Sequence, residues 1–318
     1  MINIALSTDE NYAPHCLTTI CSICENSNDE LTFYIIYNKL EEKTIKIFSN
    51  FIKKYKNVNL FFIPLNFELL KELPFGRNDM PNVYVSLATY NRLFLAQIIP
   101  EDVKKIIYLD CDIIVKKSLK QMFETNIDNY AIAAVPDSLT YNLSTYARLQ
   151  YSPDLGYFNA GVLLINLDYW RKHKVFSDFM NFIKHYPERI SCHDQDVMNY
   201  VLRNSKLNLP FEFNLQEEFI KVDTTMIATD WKKLKEAASS PAIVHYSSRR
   251  KPWYKECNHP YKDDYLKYKS KTEYASLPLQ HIRLNKKEKV KKVLSFFHLC
   301  NKPSPLTPRK YNTAFISK

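Results

Sequence analysis

Glycine is scarce in this chain, since its 318 residues include only Gly76, Gly156 and Gly161. A dinucleotide fingerprint or a P-loop needs several glycines close together, because the backbone must approach the phosphates. Both kinds of phosphate cradle are therefore excluded. If the chain binds a nucleotide diphosphate, another group must neutralise the charge, and a bound divalent cation is the obvious substitute.

Long apolar segments and a regular cysteine framework are also missing. No stretch approaches the roughly 20 apolar residues that a membrane span needs. The first residues, MINIALSTDE, lack the basic and apolar regions of a secretory signal. We therefore expect a cytoplasmic protein. The seven cysteines are an odd number at irregular spacing, which favours buried thiols over disulfides.

The composition indicates a folded chain with a basic surface. Hydrophobic residues make up 46% and aromatic residues 14%, enough for a sizeable core. The formal net charge of +10 favours anionic partners such as nucleic acid, acidic lipid or phosphorylated substrates. Charge alone does not choose among these three classes.

Short apolar runs alternate with helical spacing over the first third of the chain. This alternation predicts a mostly parallel sheet with helices on both faces. The predicted strands are 2–6, 31–37, 58–63 and 105–109, and the predicted helices are 13–24, 45–55 and 83–99. Further along we predict apolar runs at 130–135 and 161–167, helices at 168–184 and 194–202, a strand at 242–246, and a loop near the site at 141–154.

Two acidic residues, Asp110 and Asp112, follow the buried run 106–109. Ligands of open α/β sheets gather at the carboxyl ends of strands. Two desolvated carboxylates at such a place repel each other unless a cation lies between them. Hard oxygen ligands suit Mg²⁺ or Mn²⁺. An acidic pair in an ordinary turn is the competing interpretation.

Three later segments carry weaker signals. His245 leaves an apolar strand into the basic run SSRRKPW, where Arg249, Arg250 and Lys251 could hold phosphate oxygens. A lone histidine more often has a structural role, and the basic run after it favours a site only modestly. Gly161 permits close backbone approach, and Asp194 is either a helix N-cap or a site residue.

The segment from His281 onward has a different character. Its many lysines and arginines face one acid, Glu288, and apolar residues follow at Val290, Val293 and Phe296. This resembles a basic amphipathic helix for an anionic membrane surface. A solvated helix packed on the domain explains the pattern equally well. The last residues contain three prolines, which predicts a flexible tail.

Six ordered motifs resemble glycosyltransferase family 8, the retaining family that includes bacterial lipopolysaccharide galactosyl- and glucosyltransferases. They are STDENYA from Ser7, ATYNRL from Ala88, YLDCDIIV, YFNAGVLLINL, DQDVMN and HYSSRRKPW. The resemblance covers about residues 2 to 260. It implies a GT-A-like, Rossmann-type α/β domain over 1–260, followed by a basic helical extension over 261–318.

The same resemblance implies roles for individual residues. Asp110 and Asp112 would bind Mn²⁺ or Mg²⁺ with His245 as the third protein ligand, and Gln195 and Asp194 would lie beside the anomeric carbon. The UDP-sugar would contact a wider set: Ser7, Asp9, Asn11, Tyr12, Arg92, Asp110, Cys111, Asp112, Asp137, Asn159, Gly161, Asp194, Gln195, His245, Ser248 and Lys251.

Ser248 departs from the family, which often has glycine at this position. A serine needs more room near the pyrophosphate, although its hydroxyl could instead donate a hydrogen bond. His245 and the Lys-Pro-Trp sequence on either side match the family pattern.

The expected activity is transfer of galactose or glucose from a UDP-sugar with retention at the anomeric carbon. A double displacement needs a nucleophile on the far face of the sugar, and Asp194 is the only local acid to consider. We favour front-face attack, in which a leaving phosphate oxygen takes the acceptor proton. The expected acceptor is a saccharide or lipid-linked oligosaccharide of lipopolysaccharide, with a capsule or another surface glycan as the alternative.

Two other classes of protein share part of this pattern. A phosphatase of the haloacid dehalogenase type also has Asp-x-Asp after a strand, but on the first strand of its core and with a later acidic pair that this chain lacks. A non-enzymatic nucleic-acid or membrane adaptor would explain the charge. The basic residues concentrate near the C-terminus, away from most aromatics, so we expect no nucleic-acid partner.

Overall fold

The computed structural model describes residues 1–65, 87–221, 228–297, 299 and 309–312. Its strands are β1 (Ile2–Thr8), β2 (Leu31–Tyr37), β3 (Val58–Pro64), β4 (Lys105–Leu109), β5 (Ile113–Val115), β6 (Ile132–Pro136), β7 (Phe158–Asn166), β8 (Lys206–Asn208), β9 (Leu215–Gln216) and β10 (Ile243–His245). Its α-helices are α1 (Ala13–Glu25), α2 (Glu42–Ile52), α3 (Leu95–Ile98), α4 (Lys120–Phe123), α5 (Leu143–Leu149), α6 (Leu167–Lys172), α7 (Val175–His185), α8 (His193–Leu202), α9 (Ala228–Ser239), α10 (Lys262–Lys269) and α11 (Lys286–Phe296).

In the described residues the central sheet has seven strands in the order β3-β2-β1-β4-β7-β6-β8. β1 pairs in parallel with β2 and β4, β2 with β3, and β6 with β8, whereas β7 is antiparallel to both of its neighbours. This is the predicted α/β fold with a mostly parallel sheet. Because β1 and β4 are parallel, the turns that follow them lie at the same edge.

A second, three-stranded sheet has the order β5-β10-β9. β10 runs antiparallel to β5, and its register puts His245 opposite Ile113. The Tyr246 amide donates to the Asp112 carbonyl at 3.0 Å. This pairing carries the histidine from far along the chain to the acidic turn after β4.

The core is built on both faces of the central sheet. β4 and β7 are buried through almost their whole length, as expected for strands covered on both sides. Helix α1 packs on one face and is joined there by α10, where Tyr265 and Tyr268 hydrogen bond to His15 and Asn26 at 2.7 Å each. The other face is covered mainly by α6, α7 and α8.

The predicted long helix at 83–99 is wrong over its described part. Residues Leu87–Phe94 form a 3-10 helix, only Leu95–Ile98 is α-helical, and 83–86 lie outside the described residues. The Asn91 side chain donates to Ser7 and Asn38, at 2.9 and 3.0 Å, and Arg92 also points inward. The segment therefore buries polar as well as apolar side chains.

Two further predictions are corrected. The expected loop at 141–154 contains α5 and short 3-10 turns, because the Asn142 side chain caps α5 by accepting from the Ser144 amide at 3.0 Å. The expected single helix at 168–184 is two helices, α6 and α7. Lys174 has φ +53°, a left-handed conformation that interrupts the run.

The basic C-terminal helix is present as α11 and begins with a capping box, in which Asn285 and Glu288 satisfy each other's backbone amides. The 11 residues of α11 are too few for a bilayer span, and its lysines are too polar. Among the described residues no helix combines the length and the apolar character that crossing a bilayer would require.

Candidate active site

A polar cavity of about 410 Å³ opens where β1, β4 and β7 meet the start of α8. The strand order reverses between β1 and β4, and the crevice at such a point is the usual place for a ligand in open α/β sheets. Most of the predicted site residues line it. They are Ser7, Asp9, Tyr12, Arg92, Asp110, Cys111, Asp112, Asn159, Gly161, Asp194, Gln195 and His245.

Asp110, Asp112 and His245 converge in this cavity. One potential ligand atom from each lies within 4.8 Å of the others. Asp112 Oδ1 lies 3.3 Å from His245 Nε2, while its other oxygen accepts from Lys251 Nζ. Burial acts to raise the pKa of Asp112, but the contacts with Lys251 and His245 outweigh burial and hold that pKa below its usual range. The carboxylate is therefore kept ionised.

The orientation of His245 is fixed by a chain of amides behind it. Asn159 Oδ1 accepts from Asn214 Nδ2 at 2.9 Å, so the Asn214 oxygen faces His245 Nδ1 at 3.0 Å. Nδ1 therefore donates, and in the neutral ring Nε2 keeps its lone pair. That lone pair points toward the Asp112 carboxylate. Two acceptors at this separation need a proton or a cation between them.

Asp110 is held by the guanidinium of Arg92 and by the phenol of Tyr108. Its Oδ1 accepts from Arg92 Nη2 at 2.9 Å and from Tyr108 at 3.2 Å. Arg92 Nε also lies 2.9 Å from Asp194 Oδ2. Burial lowers the pKa of Arg92, yet Asp110 and Asp194 overcome burial and leave that pKa above its ordinary value. The guanidinium thus stays charged and leaves Asp110 Oδ2 available to a ligand.

A second polar cluster borders the cavity around Asp137 and Gln195. Asp137 Oδ2 accepts from Asn159 at 2.9 Å and from Gln195 Nε2 at 3.3 Å. Gln195 Oε1 accepts from the Ala160 amide at 2.9 Å. Burial raises the pKa of Asp137. Because both ends of the Gln195 amide are engaged, its orientation is set before any substrate arrives.

Asp194 is nearly inaccessible to solvent, with 2% of its surface exposed. Burial raises the pKa of Asp194 to about 7; Arg92 acts to lower it and Asp110 to raise it further. The structural alternative, that Asp194 caps α8, is wrong. The helix begins at His193, and Asp196 accepts from the Ser191 and Cys192 amides, the former at 2.7 Å. Asp194 is thus free of a capping role.

Gly161 lies on β7 directly against the acidic turn. A Cβ at this position would be 2.5 Å from the His245 ring and 2.8 Å from Asp110 Oδ2. Separations below about 3.0 Å are not tolerated between such atoms, because packed interiors leave no slack. The absent side chain is therefore what allows the histidine and the aspartate to approach the same point.

Four predicted site residues do not line the cavity. Asn11 is exposed on the first turn, and Asp137 reaches the cavity only through Asn159 and Gln195. Lys251 lies behind Asp112, where its Nζ also donates to the Tyr246 carbonyl at 2.6 Å. Ser248 donates instead to the buried Glu217.

The basic run after His245 is only partly directed at the site. Arg249 forms an ion pair with Glu288 on α11. Arg250 is buried beside Arg309, and burial together with that like charge lowers its pKa. Lys251 contacts the cavity-lining carboxylate of Asp112.

Sequence reasoning missed several lining residues and one supporting residue. The lining residues are Thr8, Thr89, Tyr108, Ala160, Cys192, His193 and Ser247. Tyr108 could have been found, since residues two apart on a strand share a face. Asn214, which orients His245, gave no signal in its own sequence neighbourhood.

Comparison with known proteins decides the family. The model of "Glycosyl transferase family 8" matches residues 3–257. The chain belongs to glycosyltransferase family 8. A putative glycosyltransferase of Haemophilus influenzae is 31% identical over 260 residues, which cover 81% of this chain and 74% of that protein.

Two further relatives of this family 8 chain are informative. Lipopolysaccharide 1,3-galactosyltransferase of Salmonella typhimurium is 27% identical over 289 residues, covering 87% of this chain and 80% of that protein. A crystal structure of the galactosyltransferase LgtC with donor and acceptor sugar analogues has a TM-score of 0.75 at 22% identity. That comparison covers 91% of this chain and all of the other, and it confirms the GT-A-like fold. Membership of the transferase family leaves the phosphatase alternative without support.

Proposed function

We propose that this transferase moves galactose or glucose from a UDP-sugar to a saccharide acceptor, with a divalent cation at Asp110, Asp112 and His245. The proposal is carried by one observation: His245 Nε2 and Asp112 Oδ1 face each other at 3.3 Å with Asp110 beside them. Asp112 Oδ1 is buried and accepts no hydrogen bond from the described residues. Such an atom is costly to bury unless a cation occupies the space in front of it.

The donor set fits Mn²⁺ or Mg²⁺. Carboxylate oxygens with one imidazole are typical ligands of Mn²⁺, and Mg²⁺ accepts the same carboxylates. When bound, the cation would act as a Lewis acid toward the diphosphate of the donor. Glycine scarcity agrees with this assignment, since the chain offers no glycine-rich phosphate cradle.

The residues of the chain would divide the remaining work. Lys251 and Arg92 supply positive charge beside the acidic turn, which would stabilise charge that develops on the departing UDP. Asn159, which donates to Asp137, would bind sugar hydroxyls. Ser7, Asp9 and Tyr12 line the other end of the cavity, where the uridine is expected.

We propose front-face attack with retention of configuration. Asp194 Oδ2 is engaged by Arg92 at 2.9 Å and almost fully buried, which makes it a poor nucleophile for a double displacement. Gln195 is an amide whose two ends are already hydrogen bonded. A phosphate oxygen of the leaving group would then take the acceptor proton.

A donor panel tests the proposal. Purified protein is incubated with UDP-galactose, UDP-glucose and their N-acetyl derivatives, with Mn²⁺, with Mg²⁺ and with chelator, and released UDP is measured. We expect hydrolysis of one UDP-hexose that chelator abolishes and Mn²⁺ restores. Hydrolysis that persists in chelator would contradict the metal assignment, and failure to bind or cleave any UDP-sugar would contradict the donor assignment.

We further propose that the acceptor is part of lipopolysaccharide or a related lipid-linked glycan and that α11 contacts the anionic inner face of the cell membrane. The extension over 261–318 would then be a membrane-proximal addition to a transferase domain over 1–260. Val290, Val293 and Phe296 are 57%, 56% and 78% exposed and share α11 with five lysines. Exposed apolar residues among cations suit an interfacial helix.

Vesicle sedimentation measures this contact. We expect the protein to bind vesicles that contain phosphatidylglycerol and to ignore pure phosphatidylcholine vesicles, with binding weakened by salt because charge contributes. Val293→Ser with Phe296→Ser should reduce binding at least about thirtyfold, since each of the two lost apolar contacts removes about 1 kcal/mol or more. Phe61→Ser, a change at an exposed phenylalanine (53%) on β3, is the control. Equal binding by all variants would exclude α11 as the membrane contact.

A further inference from the structure

The described end of the chain, residues 309–312, lies against the loop that follows β10. We call these residues the C-terminal strap. The Asn312 amide donates to the Ile220 carbonyl at 2.9 Å. The Asn258 side chain donates to the Arg309 carbonyl at 2.8 Å and accepts from its amide at 3.3 Å. Backbone bonds at both ends thus fix the strap on the domain.

The strap brings a cation to a fully buried acid. Glu217 has no exposed side-chain surface. Its Oε1 accepts from Arg309 and, at 3.0 Å, from the Tyr311 hydroxyl. Lys221 is more distant, at 4.0 Å. A buried carboxylate is costly unless it is paired and hydrogen bonded, so Arg309 is the principal partner that makes the burial of Glu217 tolerable.

The Glu217–Arg309 pair also hydrogen bonds to the loop that carries Lys251. Ser248 Oγ donates to Glu217 Oε2, and Arg309 donates to the same hydroxyl. Next to it, Ser247 lines the cavity, accepts from the Glu217 amide at 3.1 Å and donates to Glu218 at 2.6 Å. Ser247 and Ser248 are thus anchored on Glu217 and Glu218, four and three residues before Lys251.

A second contact ties this loop to the C-terminal extension. Arg249 pairs with Glu288, the acid that also completes the capping box of α11, and donates to the Arg283 carbonyl at 2.7 Å. Consecutive loop residues, Ser248 and Arg249, therefore bind two separate parts of the extension. The extension therefore holds this loop at two consecutive residues.

We propose that Arg309 is a positioning residue for donor binding, which acts through Glu217 and Ser248 to hold the loop 247–251 where Lys251 meets the phosphates. The inference rests on the proposed function, since it assumes that the loop receives the diphosphate of a UDP-sugar. It also explains the serine at position 248. Glycine, which the family often has here, would lack the hydroxyl that Glu217 and Arg309 bind.

The test compares full-length wild type with Arg309→Met. UDP binding with Mn²⁺ is measured by calorimetry, and uridine binding by saturation-transfer NMR. We expect the variant to bind UDP about tenfold more weakly, a typical cost of removing a charged hydrogen-bonding partner, with uridine binding unchanged because uridine lacks phosphates. Lys310→Met removes the same charge from an exposed neighbour and should bind both ligands like wild type. Arg309→Lys should recover part of the loss.

Protein stability is followed in parallel, because Arg309→Met removes the principal partner of a buried acid. If that variant does not fold, Ser248→Ala replaces it, since it cuts the link to the loop and keeps the Glu217–Arg309 pair. The same selective loss of UDP affinity is expected. The inference is overturned if UDP affinity is unchanged, or if uridine and UDP affinities fall together. Absence of UDP binding by wild type would instead overturn the proposed function, and the role of the strap with it.

Discussion

Asp110→Asn is expected to lower turnover by about 10²- to 10³-fold at saturating donor, the usual effect of removing a charged group that stabilises a departing anion. Asp110 Oδ1 is taken by Arg92 and Tyr108. Its Oδ2 faces the point shared with the His245 ring. An asparagine must then place its NH₂ either toward the cation or toward the guanidinium of Arg92. Both orientations set a donor against a positive charge.

Steady-state rates over a Mn²⁺ titration measure this effect, and electron paramagnetic resonance of free Mn²⁺ measures the affinity separately. We expect the metal affinity to fall together with turnover. Asp168→Asn, at a half-exposed acid on α6, removes the same charge far from the cavity and should behave like wild type. Near-normal Mn²⁺-dependent turnover by Asp110→Asn would refute the assignment of this aspartate as a ligand.

The contacts of Asp110 also predict that Asp110→Asn lowers the stability of the protein. Arg92 is buried and balanced by Asp110 and Asp194. With one of these charges gone, the guanidinium is left with a single acidic partner. We therefore expect a lower thermal midpoint in addition to slower turnover, and turnover should be compared well below that midpoint.

The acidic turn and its environment were predictable from local sequence because they depend on strand ends. The structure gives 31–37 and 105–109 as strands with the predicted bounds. Parallel pairing of β1 with β4 then brings the first turn and the Asp110–Asp112 turn to one edge. Hydrophobic runs encode this arrangement directly, since both strands are buried on two faces.

Contacts that depend on long-range register were beyond local sequence. His245 reaches Asp112 only because β10 pairs with β5, and no property of either strand specifies that partner. Asn214 is positioned by β9, which pairs with β10 on the other side. The 3-10 winding of 87–94 was also hidden. Its apolar spacing suits an α-helix, and the inward hydrogen bonds of Asn91 and Arg92 become visible only once their partners are in place.

Gly161→Ala is expected to lower turnover by at least about 10²-fold while the protein remains folded, because misplacing catalytic groups by even 1 Å has effects of this size. The new methyl group would meet the His245 ring at 2.5 Å and Asp110 Oδ2 at 2.8 Å. The ring is held from behind by Asn214 at 3.0 Å. Relief of the clash must therefore break that hydrogen bond or push the aspartate aside, and both changes separate the metal ligands.

Gly156→Ala is the matched control, because it adds the same methyl group and strains the backbone without a steric clash. Its nearest contacts would be ordinary, at 3.5 Å from Thr140 and 3.6 Å from Lys206, but its φ is +66°. With ψ at 172°, this backbone conformation is one that essentially only glycine adopts, and an alanine there costs about 1 to 3 kcal/mol. Gly156→Ala should therefore lose stability and keep its turnover. Rates, Mn²⁺ affinity and urea unfolding of both variants separate the two effects. If Gly161→Ala kept full Mn²⁺ affinity, the three ligands would not need the close approach that this glycine permits, and a cation at that point would be excluded.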